Sequence, residues 1–109
     1  MAYEVRFQVS GALDNRLALR GRHESLEDAL NDYYDMLKGI KAVGWEAEYE
    51  FVLLYDVGNK KPFKRDDILM RQFKGCDILR RAFFVPLETG GRKMVLYTGK
   101  DMDHDKTEL

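Results

Sequence analysis

The sequence of 109 residues holds one cysteine, two prolines and two histidines, and it has no long apolar run. A single cysteine excludes an internal disulfide and is typical of a reducing compartment. No apolar stretch approaches the ~20 residues that a membrane-spanning helix needs. The N-terminal residues MAYEVRFQVS alternate between apolar and polar types, unlike the apolar core of a signal peptide. We therefore expect a cytoplasmic protein that does not enter a membrane.

Motifs of catalysis and cofactor binding are missing as well. The chain contains no GxGxxG, Walker loop, CxxC pair, HExxH or GxSxG. His23 and His104 lie far apart, and neither has an obvious acidic partner to orient it. Asp101, Asp103 and Asp105 are interpreted as part of a solubilising tail, not as metal ligands. These features predict a protein that is not an enzyme and needs no cofactor or metal. An enzyme, the third alternative, would need a site assembled from Tyr, Asp and Arg side chains of different strands, which local motifs do not reveal.

Length and composition predict one globular domain. Hydrophobic residues make up 45% of the chain and charged residues 34%, which allows a real core under a strongly polar surface. Residues 1–100 carry the apolar periodicity of helices and strands. Residues 101–109 carry none, and they are expected to form a mobile acidic tail.

Residues 25–40 form the best-specified element, an amphipathic helix. Ser25 is a favourable N-cap, and Asp28 three residues later resembles a capping box with the shorter acid. Gly39 is expected to end the helix in a left-handed conformation. Apolar residues at helical spacing form one stripe, which must be buried against the strands on either side. The stripe comprises Leu26, Ala29, Leu30, Tyr33, Leu37 and Ile40.

Residues 45–55 alternate at the period of a strand and predict the longest strand of the chain. The odd-numbered side chains from Trp45 to Tyr55 are mostly aromatic and are predicted to face the helix. The opposite face is predicted to carry Glu46, Glu48, Glu50, Val52 and Leu54. Two aliphatic side chains on an acidic face indicate either a covering element, for which residues 66–73 are a candidate, or contact with another molecule.

The remaining segments predict two hairpins around these elements. Residues 3–9 and 17–20 alternate as two strands joined by a turn, and residues 78–87 and 94–98 form a second pair around a Gly-Gly turn. Residues 66–74 are compatible with a short helix or with a strand. The expected fold is α+β, a mostly antiparallel sheet of about five strands with one main helix on one face, in the order β-β-α-β-(α)-β-β.

The net charge of −1 conceals two blocks of opposite sign. Residues 24–56 contain nine acids and two lysines, a net charge of −7. Residues 57–100 contain eleven bases and four acids, a net charge of +7. Unless they pair within the fold, such blocks favour association with a surface of complementary charge.

Protein–protein contact is the function that these features favour. Opposed charge blocks, apolar residues on a polar face and the absence of catalytic motifs predict a small regulatory protein. It would bind another protein, or itself as a homodimer, and inhibition of a nucleic-acid-handling protein by an acidic surface is one such role. The residues expected to contact a protein partner are Val52, Leu54, Phe83, Phe84, Glu46, Glu48 and Glu50.

Nucleic-acid binding is the alternative function. Residues 60–81 are rich in bases, and RRAFFV at residues 80–85 resembles the basic-plus-aromatic strand of single-stranded RNA binders, although it lacks their glycine. Phe63 or Phe84 would stack on bases. The residues expected to contact phosphate are Lys60, Lys61, Lys64, Arg65, Arg71, Lys74, Arg80 and Arg81. The neighbouring acidic block opposes this function.

Overall fold

The computed structural model describes residues 2–11, 17–57, 77–98 and 103–104. These ranges form six strands, one long helix and one 3-10 turn. The strands are β1 Tyr3–Val9, β2 Ala18–His23, β3 Tyr49–Asp56, β4 Asp77–Pro86, β5 Arg92–Thr98 and the two-residue β6 Asp103–His104. The helix α1 is Leu26–Val43, and the 3-10 turn Glu46–Glu48 leads into β3.

The strands form one antiparallel sheet in the order β2-β1-β3-β4-β5-β6, with α1 packed against it. The predicted α+β fold, with five main strands and one main helix, is confirmed. Residues 66–74, the candidate second helix and sheet cover, lie outside the described residues. Within the predicted tail, β6 pairs with β5, and the other residues of 101–109 are also outside the described ranges. No helix among the described residues is long and apolar enough to cross a membrane.

The helix α1 begins where the sequence predicts. Ser25 has extended backbone, and its hydroxyl accepts a hydrogen bond from the backbone N–H of Asp28 at 3.1 Å. This bond satisfies one of the donors that the first helical turn leaves unpaired. The predicted apolar stripe is buried at its centre, where Ala29, Tyr33 and Leu37 are at most 1% exposed.

The end of α1 differs from the prediction. Gly39 lies inside the helix, and the left-handed residue is Gly44, with φ of 73°. The Gly44 N–H donates to the Lys41 carbonyl at 3.2 Å, and the Trp45 N–H donates to the Ile40 carbonyl at 3.0 Å. These two bonds define a Schellman motif, which Gly44 accommodates without steric cost because it has no side chain. The cap therefore carries α1 one turn beyond the predicted end.

The helix covers the face of β3 that the sequence pattern predicted to point away from it. Val52 and Leu54 are 0% exposed and belong to the core beneath α1, together with Val5, Ala82 and Phe84. The prediction that Val52 and Leu54 lie on the face away from the helix was wrong. They are covered, and the covering element is α1 itself.

A bulge at Glu50 explains this reversal. Gln8 of β1 pairs with Phe51, whereas the next residue, Val9, pairs with Tyr49. Glu50 is the extra residue, and an extra residue shifts the alternation of side chains by one position. Tyr49 therefore packs on the helix side, as predicted, but the residues after the bulge change faces.

The face away from α1 carries a second buried cluster. Phe51, Leu53, Tyr55 and Ile78 are each at most 5% exposed and pack with Leu17. Strand β4 is thus buried on both faces, as its continuous apolar run predicts, because Ile78 belongs to this cluster while the helix-side core includes Ala82 and Phe84.

Candidate functional site

Two large apolar side chains are exposed where α1 ends. Val43 is 58% exposed, and Trp45, the only tryptophan of the chain, is 56% exposed. The Trp45 backbone is held on both sides, since its N–H donates to Ile40 and its carbonyl accepts from the Glu48 N–H at 2.9 Å. The tryptophan therefore stands in water on a fixed piece of backbone.

The turn that follows Trp45 is tied to the sheet. The Ser10 hydroxyl donates to the Ala47 carbonyl at 3.0 Å, and the Ser10 N–H donates to the Glu48 carbonyl at 2.9 Å. The 3-10 turn is thereby anchored to the end of β1. These bonds restrict the backbone that presents the indole ring.

An open depression of about 260 Å³ lies beside these two residues. Its apolar lining comes from the last turns of α1 and the start of β3, and its two charged lining residues are Arg20 and Asp35. The other lining residues are Met36, Gly39, Ile40, Val43, Trp45 and Tyr49. We call this region, with exposed Val43 and Trp45 at its edge, the α1-end surface.

Two exposed carboxylates lie near the α1-end surface. Asp35 is exposed on α1, and Glu48 is exposed in the turn after Trp45. The one basic lining residue, Arg20, already donates from Nε to Asp32 at 2.7 Å. A partner that covers this surface would therefore gain from basic groups around an apolar contact.

Most of the residues predicted to contact a protein do not form one exposed surface. Val52, Leu54 and Phe84 are core residues that are at most 3% exposed, and Phe83 is half-buried on the face away from α1. The three glutamates do not share a strand face either. Glu46 and Glu48 belong to the 3-10 turn, and Glu50 is at the bulge.

The two predicted phosphate contacts within the described residues are largely unavailable. Arg81 is 0% exposed, and Arg80 is half-buried with one guanidinium nitrogen donating to the Leu79 carbonyl at 2.7 Å. Phe84, a predicted stacking residue, is buried beneath α1. The other predicted contacts lie outside the described residues, and they are Lys60, Lys61, Lys64, Arg65, Arg71 and Lys74, together with the stacking candidate Phe63.

A polar cluster lies on the face away from α1. The Glu4 carboxylate accepts hydrogen bonds from the Tyr55 hydroxyl at 2.7 Å, from Arg6 Nε at 2.8 Å and from an Arg22 guanidinium nitrogen at 3.0 Å. Arg6 also donates to the Leu17 carbonyl at 2.9 Å. With Glu4 only 4% exposed, this network fixes the charge between β1, β2 and β3.

The network moves the pKa values of two of its members. Burial raises the pKa of Glu4, but the bonds from Tyr55 and Arg6 and the charges of Arg6 and Arg22 together outweigh it and leave the pKa below 4.5. Burial and the bond to Glu4 raise the pKa of Tyr55 to about 12. Glu4 is therefore ionised and Tyr55 neutral at physiological pH, which suits a structural cluster better than an acid–base pair.

A second charged cluster joins β2 to α1. The Asp32 carboxylate accepts from Arg20 Nε at 2.7 Å and lies 2.8 Å from His23 Nε2. Burial raises the pKa of Asp32, yet the hydrogen bonds from His23 and Arg20 outweigh it and lower the pKa. The expectation that His23 lacks an acidic partner was wrong, because α1 brings Asp32 next to it from nine positions away.

An aromatic pocket of about 310 Å³ opens at the β4–β5 hairpin. Phe83 and Tyr97 line it with their rings edge to face at 5.8 Å, and Val85 beside them is 43% exposed. Arg92 also lines it and donates one hydrogen bond to the Tyr49 carbonyl at 2.8 Å. The pocket thus combines aromatic walls with the Arg92 guanidinium group and the Glu50 carboxylate, and the carboxylate opposes a phosphate ligand.

Sequence reasoning missed the α1-end surface because the alternation of strand β3 was extended back to Trp45. The signal against that extension is Gly44, directly before Trp45. A glycine after an apolar helical residue is typical of a Schellman cap, and such a cap separates the helix from the strand.

No protein-family model matches the chain, and neither curated proteins nor solved structures gave a match. Among the described residues there is no group of three or more side chains arranged to hold a metal ion.

Proposed function

We propose that this protein is a small regulatory protein that binds another protein through the α1-end surface. The observation that carries the proposal is Trp45, which is 56% exposed although its backbone is fixed by the Schellman cap and the 3-10 turn. Tryptophan is strongly enriched among the residues that dominate binding energy at protein interfaces. An exposed indole on a fixed backbone also loses little conformational freedom on binding, which favours affinity.

Two carboxylates at this surface support a basic partner. Asp35 is exposed on α1 and lines the depression, and Glu48 is exposed in the turn after Trp45. Lys38 and Lys41 are exposed on α1 as well, but neither of them lines the depression. Two copies that met through this face would bring these carboxylates together, which opposes a homodimer of this geometry. A protein that handles nucleic acid presents the complementary positive surface, so competition for such a surface is the form of regulation we favour.

A comparison of three immobilised proteins tests the proposal. Wild type, Trp45→Ala and Leu26→Ala are incubated with extract from the source cells, and the retained proteins are quantified by mass spectrometry. Leu26 is the matched control because it is 40% exposed and is the first residue of α1, at the opposite end of the helix from Val43. We expect a partner retained by wild type and Leu26→Ala but lost with Trp45→Ala, and titration of that purified partner must reproduce the loss.

Self-association is measured alongside. Light scattering at micromolar concentration, with and without high salt, should give a monomer for the wild type. A dimer that Trp45→Ala dissolves would show that the partner is a second copy, and the basic-partner form of the proposal would be abandoned.

Single-stranded nucleic acid is the second candidate ligand, and the aromatic pocket is the observation that favours it. Phe83 and Tyr97 provide ring surfaces, Arg92 provides a guanidinium group, and Lys93 is exposed on the same strand. Stacking on aromatic rings combined with basic groups is the usual mode of sequence-tolerant single-strand binding. Fluorescence anisotropy with oligo(dT) and oligo(rU) at low salt tests this candidate. Binding that falls with rising salt and with Lys93→Glu would support it, and unchanged anisotropy would remove it.

A further inference from the structure

Gly39 occupies a position in α1 where the fold does not require a glycine. It lies within the helix and is exposed, and its φ is not in the left-handed region, unlike the φ of Gly11, Gly44, Gly90 and Gly91. A methyl group added at Gly39 would meet no atom of the described residues within 4 Å. Glycine is nevertheless the least favourable residue in a helix interior after proline.

Gly21 differs from Gly39 in what an added side chain would contact. A β-carbon added at Gly21 would lie 2.5 Å from the Asp32 carboxylate and 2.9 Å from His23 Nε2. A side chain there would therefore displace the Asp32–His23 pair that joins β2 to α1. No comparable contact explains Gly39.

Gly39 does line the depression of the α1-end surface, between Asp35 one turn before it and Val43 one turn after it. Side chains four residues apart lie on the same face of a helix. A side chain at position 39 would therefore project between these two neighbours. Its absence leaves helical backbone accessible at the edge of an exposed apolar surface, which permits another main chain to approach closely.

The charges along this side of α1 are negative. Asp28, Asp32 and Asp35 all lie within about 40° of Gly39 around the helix axis, whereas the exposed Lys38 and Lys41 lie about 100° and about 160° away. Asp32 is already bound to Arg20 and His23, so Asp28 and Asp35 are the carboxylates that remain exposed along this line. A chain that lies against Gly39 passes these two groups.

We propose that Gly39 is the close-approach point for a basic peptide segment of the partner protein. Its main chain lies against the α1 backbone at Gly39, an apolar side chain of the segment contacts Val43 and Trp45, and its Lys or Arg side chains pair with Asp28 and Asp35. This inference rests on the proposed function, since it names the chemistry of the segment that the α1-end surface binds.

Selection from a display library of random dodecapeptides tests the inference. The library is selected on the immobilised full chain and counter-selected on Trp45→Ala, and the recovered peptides are synthesised and titrated by following the fluorescence of Trp45, the only tryptophan. We expect peptides in which Lys and Arg flank a large apolar residue. Their affinity should fall by at least about tenfold with Gly39→Ala, as expected for a lost interface contact.

Stability measurements separate an effect on the surface from an effect on the fold. Gly39→Ala should raise Tm by about 3–6 °C, because alanine is the better helix residue. Lys41→Ala is the control, since Lys41 is exposed about 160° from Gly39 around the axis of α1 and its replacement should not weaken peptide binding. A variant that is more stable yet binds more weakly excludes unfolding as the cause of the loss.

The outcomes distinguish the two proposals. Trp45-dependent peptides that are acidic or neutral, or whose affinity is the same with Gly39→Ala, would overturn the role of Gly39 and leave the protein-binding surface standing. A selection that yields no Trp45-dependent peptide would overturn both.

Discussion

Tyr55 and Glu4 are joined by a hydrogen bond of 2.7 Å between side chains 51 positions apart in the chain. The phenol donates to a carboxylate that is 4% exposed and that also receives Arg6 and Arg22. Because β3 lies beside β1 in the sheet, a bond between the two strands also ties the first strand to the centre of the fold. Stability should therefore depend on the ionisation of both groups.

Replacing Glu4 with glutamine should destabilise the protein by about 2–3 kcal/mol, because the amide loses the charge-assisted bonds to two arginines. Urea unfolding followed by far-UV circular dichroism measures the change. The exposed Glu27 is the control, and Glu27→Gln should cost less than about 0.5 kcal/mol. Equal effects of the two substitutions would contradict a structural role for the Glu4 network.

Stability should decline at both ends of the pH scale. The folded pKa of Glu4 lies below its unfolded value near 4.5, so its contribution is present above that pH and is lost as pH falls through the folded pKa. The folded pKa of Tyr55 is about 12 against an ordinary value of 10.0. Its contribution is present below pH 10 and is lost as pH rises from 10 towards 12.

Removal of one hydroxyl group tests whether Tyr55 causes the loss of stability at high pH. Tyr55→Phe removes the group that titrates, so the free energy of unfolding should become less dependent on pH between 10 and 12. The control is Tyr34→Phe, a half-buried tyrosine on α1 outside the Glu4 network. If both variants kept the alkaline decline of the wild type, Tyr55 would not be its source.

Truncation of Leu54 and of Trp45 should have very different costs. Leu54 is 0% exposed beneath α1, so Leu54→Ala should cost about 2–5 kcal/mol through lost burial and a cavity. Trp45 is 56% exposed, so Trp45→Ala should cost less than about 1 kcal/mol. Thermal unfolding of the two variants, followed by circular dichroism, measures both costs. A larger cost for Trp45→Ala than for Leu54→Ala would contradict the burial of Leu54 beneath α1 and would support the faces that simple alternation predicts.

Replacement by alanine should change the free energy of unfolding in opposite directions at Gly21 in β2 and at Gly39 in α1. Gly21→Ala forces the Asp32 carboxylate and His23 to move, and we expect a loss of about 1–3 kcal/mol. Gly39→Ala meets no atom of the described residues within 4 Å, and we expect a gain of about 0.5–1 kcal/mol. Urea unfolding measures both, and a destabilising Gly39→Ala would mean that the fold itself requires this glycine.

Local patterns were reliable where one side chain and its near neighbours decide the structure. Ser25 begins α1 because a hydroxyl at that position satisfies a nearby backbone donor, and this chemistry spans only three residues. The candidate site was harder to predict. Exposure of Trp45 depends on which glycine caps α1. A rule that looks only for a glycine after an apolar helical stripe does not distinguish Gly39 from Gly44.

Apolar spacing and turn residues were enough to predict the class of fold, the start of the helix and the two hairpins, because these signals act over short distances. The face of β3 that meets the helix could not be predicted in this way, since the bulge at Glu50 arises from pairing with β1. The same pairing makes Val52 and Leu54 core residues. Register between distant strands is a collective property, and one shifted residue exchanges the inside and the outside of a strand.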